Sequence, residues 1–175
     1  MEETLILVDD NDNQIGNASR DECHRGKGRR HRAFIIFLFD SKGRVLLQFR
    51  NKSKLGGERW DASAISHVRQ GETYETAAER SMKYELGISV PVKKISGFTY
   101  TEPYDGYSEN EYCLVLVGKY DGEINLNKKE VDKVKYSTLN EIKQDMDKNS
   151  KQYTKWFREA FPILYEFVES DSLED

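Results

Sequence analysis

Ser66-His67-Val68-Arg69-Gln70-Gly71-Glu72-Thr73-Tyr74-Glu75-Thr76-Ala77-Ala78-Glu79-Arg80-Ser81-Met82-Lys83-Tyr84-Glu85-Leu86-Gly87-Ile88 is the stretch on which the fold turns. From Thr73 to Leu86 the apolar period is helical: Tyr74, Ala78 and Met82 are spaced by four and Ala77 sits beside them, making one stripe. Glu72, Glu75, Glu79, Arg80 and Lys83 fill the remaining positions, and Gly87 is a C-terminal stop. The stretch therefore predicts a polar loop, one helix with a single buried face, and a second loop.

Strand signals lie on both sides. Leu5-Ile6-Leu7-Val8 runs into Asp9-Asp10-Asn11-Asp12-Asn13, a strand followed by a turn. Residues 20–32 are polar and basic with two glycines and read as a loop. Residues 33–39 and 44–50 flank Asp40-Ser41-Lys42-Gly43 as a hairpin, whose first strand is apolar on both faces and is therefore central. Phe98–Thr101, a turn over Pro103–Gly106, a long strand Asn110–Lys119 and a short one at Val134–Tyr136 follow. Two helices close the chain, Thr138 to about Lys148 and about Gln152 to Ser170, the second with Pro162 as an expected kink. This order predicts an α+β (α/β) domain, a mixed sheet with helices on its faces, spanning residues 1–175 as one unit.

Composition removes several classes of function. The chain has 175 residues, 27 Lys+Arg against 31 Asp+Glu, and a net charge of −4, which argues against nucleic acid as a partner. No apolar run reaches the ~20 residues of a membrane span. Met1-Glu2-Glu3-Thr4 has no basic n-region, and Cys23 and Cys113 form no CxxC, so a cytoplasmic protein, monomeric or homodimeric, is expected.

The stretch Ser66–Ile88 resembles the Nudix box, in which a loop–helix–loop carries carboxylates that hold Mg²⁺ on a diphosphate. Glu72, Arg80, Met82, Glu85, Gly87 and Ile88 match the pattern; its leading Gly is Ser66, and two of its three helix carboxylates are Ser81 and Tyr84. Arg80-Ser81-Met82-Lys83-Tyr84-Glu85-Leu86-Gly87 is similar to the box of the type I isopentenyl-diphosphate isomerases, and the likeness extends along nearly the whole chain. That resemblance implies a Nudix fold and a site for one divalent metal, Zn²⁺ or Mn²⁺, held by His24, His31, His67, Glu109 and Glu111, with Mg²⁺ in addition and Glu85 among the metal-binding residues. Glu109 and Glu111, two apart in a strand, point to one face. A lone histidine is most often a core or surface residue, but here all three fall at ligand positions.

The same resemblance implies Glu111 and Tyr100 as catalytic residues, and Arg20, Arg50, Lys54 and Trp156 as residues around a small-molecule diphosphate substrate. Trp156 is equally explained as helix-to-sheet packing, and the cations as a solvated basic face. Moving a double bond needs proton donors and acceptors on two faces of the substrate. The family's second group is a cysteine two residues before the third histidine, and that position is Ile65. Cys113 would fall beside Glu111 rather than opposite it, and Cys23 lies in a loop. Trp60-Asp61-Ala62-Ser63 and His67-Val68 look closer to isomerase-like Nudix hydrolases. Three functions stay open: an isomerase-like enzyme, a hydrolase of nucleotide or prenyl diphosphates, and a metal- and ligand-binding protein without turnover.

Overall fold

The computed structural model describes residues 2–171. A single mixed sheet is built from β1 (Thr4–Val8), β2 (Gln14–Ser19), β3 (His31–Phe39), β4 (Val45–Arg50), β5 (Trp60–Asp61), β6 (Ala64–His67), β7 (Lys93–Tyr104), β8 (Tyr107–Lys119) and β9 (Val131–Ser137). Its helices are α1 (Arg20–His24), α2 (Tyr74–Leu86), α3 (Leu139–Asn149) and α4 (Lys155–Asp171).

β3 is the central strand, and its unbroken apolar run shows why. Phe34, Ile36 and Leu38 face a core shared with Ala77, Ala78, Met82 and Leu86 of α2. Ala33, Ile35 and Phe37 alternate to the other face and meet Trp156, Phe157, Ala160, Phe161 and Leu164 of α4. Full burial of one such side chain stabilises by about 1.5–3 kcal/mol, so two packed faces fix β3 firmly in the middle of the sheet. The α2 stripe forms as its spacing requires. Thr73 caps its N-terminus by accepting from the Thr76 amide, and Gly87 ends it with a left-handed φ of 68°.

Register then sets the site. β3 runs parallel to β8 with His31 opposite Glu111, and antiparallel to β6 with Ala33 opposite His67. β7 pairs with β8 so that Tyr100 lies opposite Glu111. One row across the sheet thus reads Tyr100, Glu111, His31.

Several boundaries differ from the sequence reading. Residues 20–32 are not all loop: Ser19 and Glu22 form a reciprocal cap that folds Arg20–His24 into a single helical turn. The turn predicted over Pro103–Gly106 narrows to Asp105-Gly106, because Pro103 and Tyr104 stay paired with Ser108 and Tyr107. The hairpin after β3 is real only at its root, Phe39 opposite Val45; beyond it β4 leaves β3 and pairs with β9 and β5. The last helix begins at Lys155, after a short 3-10 turn over Ser150–Gln152, and continues through Pro162.

Candidate active site

The three histidines arrive from α1, the start of β3 and the end of β6, and their rings gather with centroids 4.6, 4.8 and 5.1 Å apart. Two of them are aimed by the backbone. The Nδ1 of His24 bonds the Arg20 carbonyl at 2.7 Å and the Nδ1 of His31 bonds the Arg29 carbonyl at 2.8 Å, so in each ring Nδ1–H is the donor to the backbone and Nε2 is turned toward the carboxylates. His24 Nε2 lies 3.1 Å from Glu109 Oε2, and His67 Nε2 3.1 Å from Glu111 Oε1. His31 Nε2 is 3.7 Å from each carboxylate, too far for a hydrogen bond, and is buried without a partner. One ligand atom each from His24, His31, His67 and Glu109 fall within 4.8 Å of one another.

A buried, partnerless imidazole nitrogen aimed at two carboxylates and two further imidazoles is chemistry a divalent cation satisfies. Burial opposes charge on His67, yet its bonds to Glu109 and Glu111 raise its pKa to about 9. Burial would raise the Glu109 carboxyl, but the His24 and His67 hydrogen bonds hold it well below the usual range. The residues fit a divalent metal ion.

A cleft of about 510 Å³ opens beside this cluster. Glu109 and Glu111 line it, and so do Tyr100, Trp156, Leu55 and Ile65. The Tyr100 hydroxyl donates to Glu111 Oε2 at 2.8 Å, and burial together with the Glu111 charge keeps the phenol protonated by raising its pKa far up. The Tyr100 and Trp156 rings lie 6.3 Å apart. Arg50 holds its guanidinium 5.3 Å from the Trp156 ring while its Nε donates to the Leu55 carbonyl. Arg20 and Lys54 also line the cleft, each facing a carboxylate: Arg20 is 3.8 Å from Glu3 and Lys54 is 2.6 Å from Glu130.

The matching NUDIX domain model covers residues 29–157. An isopentenyl-diphosphate Delta-isomerase 2 of Photorhabdus laumondii is 39% identical over 172 residues, spanning 97% of either chain. The chain is a member of the isopentenyl-diphosphate isomerase family of Nudix proteins. An isopentenyl-diphosphate Delta-isomerase of Serratia proteamaculans is 37% identical over 90% of this chain and 88% of its own. Among solved structures, a Deinococcus radiodurans protein superposes with a TM-score of 0.68 at 23% identity, over 84% of this chain and 90% of that one, which bears on the fold alone.

Against the family pattern, two positions stand out. Ile65 sits opposite Ile35 on β6, half-buried, with its side chain against the α4-side core and on the cleft wall. Neither Cys23 nor Cys113 lines the cleft. Cys113 is fully buried in the core, where burial and the nearby Glu111 drive its pKa well up, and Cys23 is buried beneath β1 with a pKa pushed to about 11. Glu85, expected among the metal-binding residues, stands apart from the histidine group. Its two oxygens accept from Ser81 Oγ and Gln48 Nε2, both at 2.7 Å, and burial lifts its pKa to about 7.

Cleft residues that the sequence reading did not assign include Glu3, Gln48, Arg69 and Glu130, and Asp61 lies behind the lining, bonded to Trp156. Asp61 lay inside the quoted Trp60-Asp61-Ala62-Ser63 run, but an acidic residue next to a tryptophan carries no signal until its partners are known. Arg80 is structural: it donates to both oxygens of Glu72 and to the His67 carbonyl, tying the box loop to the end of β6.

Proposed function

We propose that this chain works as one domain, a divalent-metal-dependent enzyme that moves a proton on a small prenyl diphosphate in the manner of an isopentenyl-diphosphate isomerase, with its full proton machinery on one face only. The observation that carries the reading is the convergence of His24, His31, His67, Glu109 and Glu111 around the orphaned His31 Nε2, with the far oxygen of Glu111 held by Tyr100 on the cleft wall. A bound divalent cation would fix the two carboxylates and offset their charge. Glu111 Oε2 then exchanges a proton with an alkene carbon, and the Tyr100 hydroxyl steadies it from behind. Trp156 and Tyr100 wall the hydrocarbon end. Arg20, Arg50 and Lys54 take the diphosphate oxygens by charge-assisted hydrogen bonds, with Mg²⁺ accompanying the diphosphate beside Glu85. Ile65, also on the cleft lining, offers no proton.

Hydrolysis is the weaker reading. Of the box carboxylates only Glu85 remains on α2, and Ser81 occupies one of its oxygens. Incubation with isopentenyl diphosphate and Mg²⁺ decides. Slow formation of dimethylallyl diphosphate, lost at least about 100-fold in Glu111→Gln, is expected for removal of a general acid/base. Release of phosphate or of a monophosphate, with no double-bond shift, would contradict the proposal.

A further inference from the structure

Among the described residues, Asp61 is the one fully buried carboxylate, and it has no place in the metal cluster or the proton transfer. It ends β5, paired with Gln48 of β4. Its Oδ2 accepts from the Trp156 indole N–H at 2.5 Å and lies 3.5 Å from Arg50 Nη1, and its Oδ1 accepts from the Ala62 amide at 2.8 Å. The Thr154 side chain bonds it as well. Both larger partners line the cleft, and they also touch each other, guanidinium over indole. With its Nε spent on Leu55 and Nη1 turned to Asp61, Arg50 has no hydrogen-bond partner for Nη2 among the described residues.

A buried carboxylate costs several kcal/mol in lost hydration unless charge and hydrogen bonds offset it. Burial pushes this one up to about 6, against the pull of Arg50, Ala62, Trp156 and Thr154. A neutral side chain would fill the same space at less cost, so the charge needs a use. We propose that Asp61 is a positioning residue: it locks the Arg50 guanidinium and the Trp156 indole into one plate, with the free edge of Arg50 presented to a diphosphate oxygen and the indole face presented to the hydrocarbon. The inference rests on the diphosphate reading above and adds to it the residue that fixes the distance between the anionic and apolar ends of the substrate.

The sign of one measurement separates this from simple electrostatics. Removing a negative charge near an anion site should by itself tighten anion binding; loss of positioning weakens it. Calorimetric titration of inorganic pyrophosphate, in the presence of Mg²⁺, into the wild type, Asp61→Asn, Arg50→Gln and the double variant reads the difference. Asp61→Asn is expected to weaken binding about tenfold, as for loss of one hydrogen bond to a charged group. The double variant is expected to bind no more weakly than Arg50→Gln alone, because Asp61 acts through Arg50. Trp156→Phe keeps a ring under the guanidinium but removes the indole N–H, and gives the second readout should Asp61→Asn fail to fold. It too should weaken pyrophosphate binding, and lose that effect in the Arg50→Gln background. Unchanged or tighter binding in Asp61→Asn, or effects that add to those of Arg50→Gln, would overturn the positioning role while leaving the diphosphate reading intact. Failure of the wild type to bind pyrophosphate would overturn both.

Discussion

Ile65→Cys is expected to raise formation of dimethylallyl diphosphate by roughly 10²–10⁴-fold, the range a positioned acid/base group contributes. Glu111 and Tyr100 line the cleft, joined by a 2.8 Å hydrogen bond, and Ile65, which also lines it, has a side chain that neither takes nor gives a proton. The alkene can be protonated from the Glu111 side, giving a tertiary cation; completing the shift then depends on water taking a different proton, from the methylene on the diphosphate side of that cation. The substitution is sterically mild, because cysteine is smaller than isoleucine and residue 65 is only half-buried. The removed methylenes cost on the order of 1 kcal/mol or less at a site open to solvent. A partly exposed thiol at 65 also avoids the full burial that disables Cys113. The rate is read by separating isopentenyl from dimethylallyl diphosphate over time. An Ile65→Cys protein that folds and keeps its metal yet shows no gain would remove the isomerase reading.

Loading with Zn²⁺ or Mn²⁺ is the second large effect. Metal at about 1,000 times its dissociation constant adds roughly 4 kcal/mol to the folded state, which for a chain of this length raises Tm by roughly 8–16 °C. The stabilisation follows from the geometry. One ligand atom each from His24, His31, His67 and Glu109 lies within 4.8 Å of the others, and His31 Nε2 is buried with no hydrogen-bond partner among the described residues. Thermal unfolding of protein stripped with a chelator and then titrated with Zn²⁺ or Mn²⁺ checks the shift, and His31→Gln should abolish it. A shift of equal size in His31→Gln would place the metal elsewhere.

Much of this was legible in the residues, for reasons that differ by element. The box helix was plain because its stripe, cap and terminal glycine all act locally on Thr73–Gly87. β3 was plain because burial on both faces forbids polar residues at either parity. α1 was hidden because its fold depends on a capping reciprocity between Ser19 and Glu22, three residues apart, rather than on any apolar period. β6 was hidden because four residues are too few to show a period, and its identity comes from pairing with β3. The gathering of the histidines was readable because the residue type is rare here: all three in the chain meet in one group. The charged partners of Arg20, Arg50 and Lys54 were not readable. That Glu3 meets Arg20, Glu130 meets Lys54 and Asp61 meets Arg50 depends on contacts between residues far apart in sequence. Glu85 was identified by its box position, but its hydrogen bonds to Ser81 and Gln48 come from packing that the pattern does not encode.

Proton exchange tests the central claim most directly. If Glu111 delivers a proton from one face and the opposite face is inert, the cation formed mostly returns the proton to the side it came from. Isopentenyl diphosphate incubated with the wild type in D₂O, recovered and examined by mass spectrometry and NMR, is then expected to carry deuterium on its terminal methylene and methyl carbons. That incorporation should outpace formation of dimethylallyl diphosphate and vanish in Glu111→Gln. Recovery of unlabelled substrate from the metal-loaded wild type, or labelling that persists undiminished in Glu111→Gln, would contradict the account.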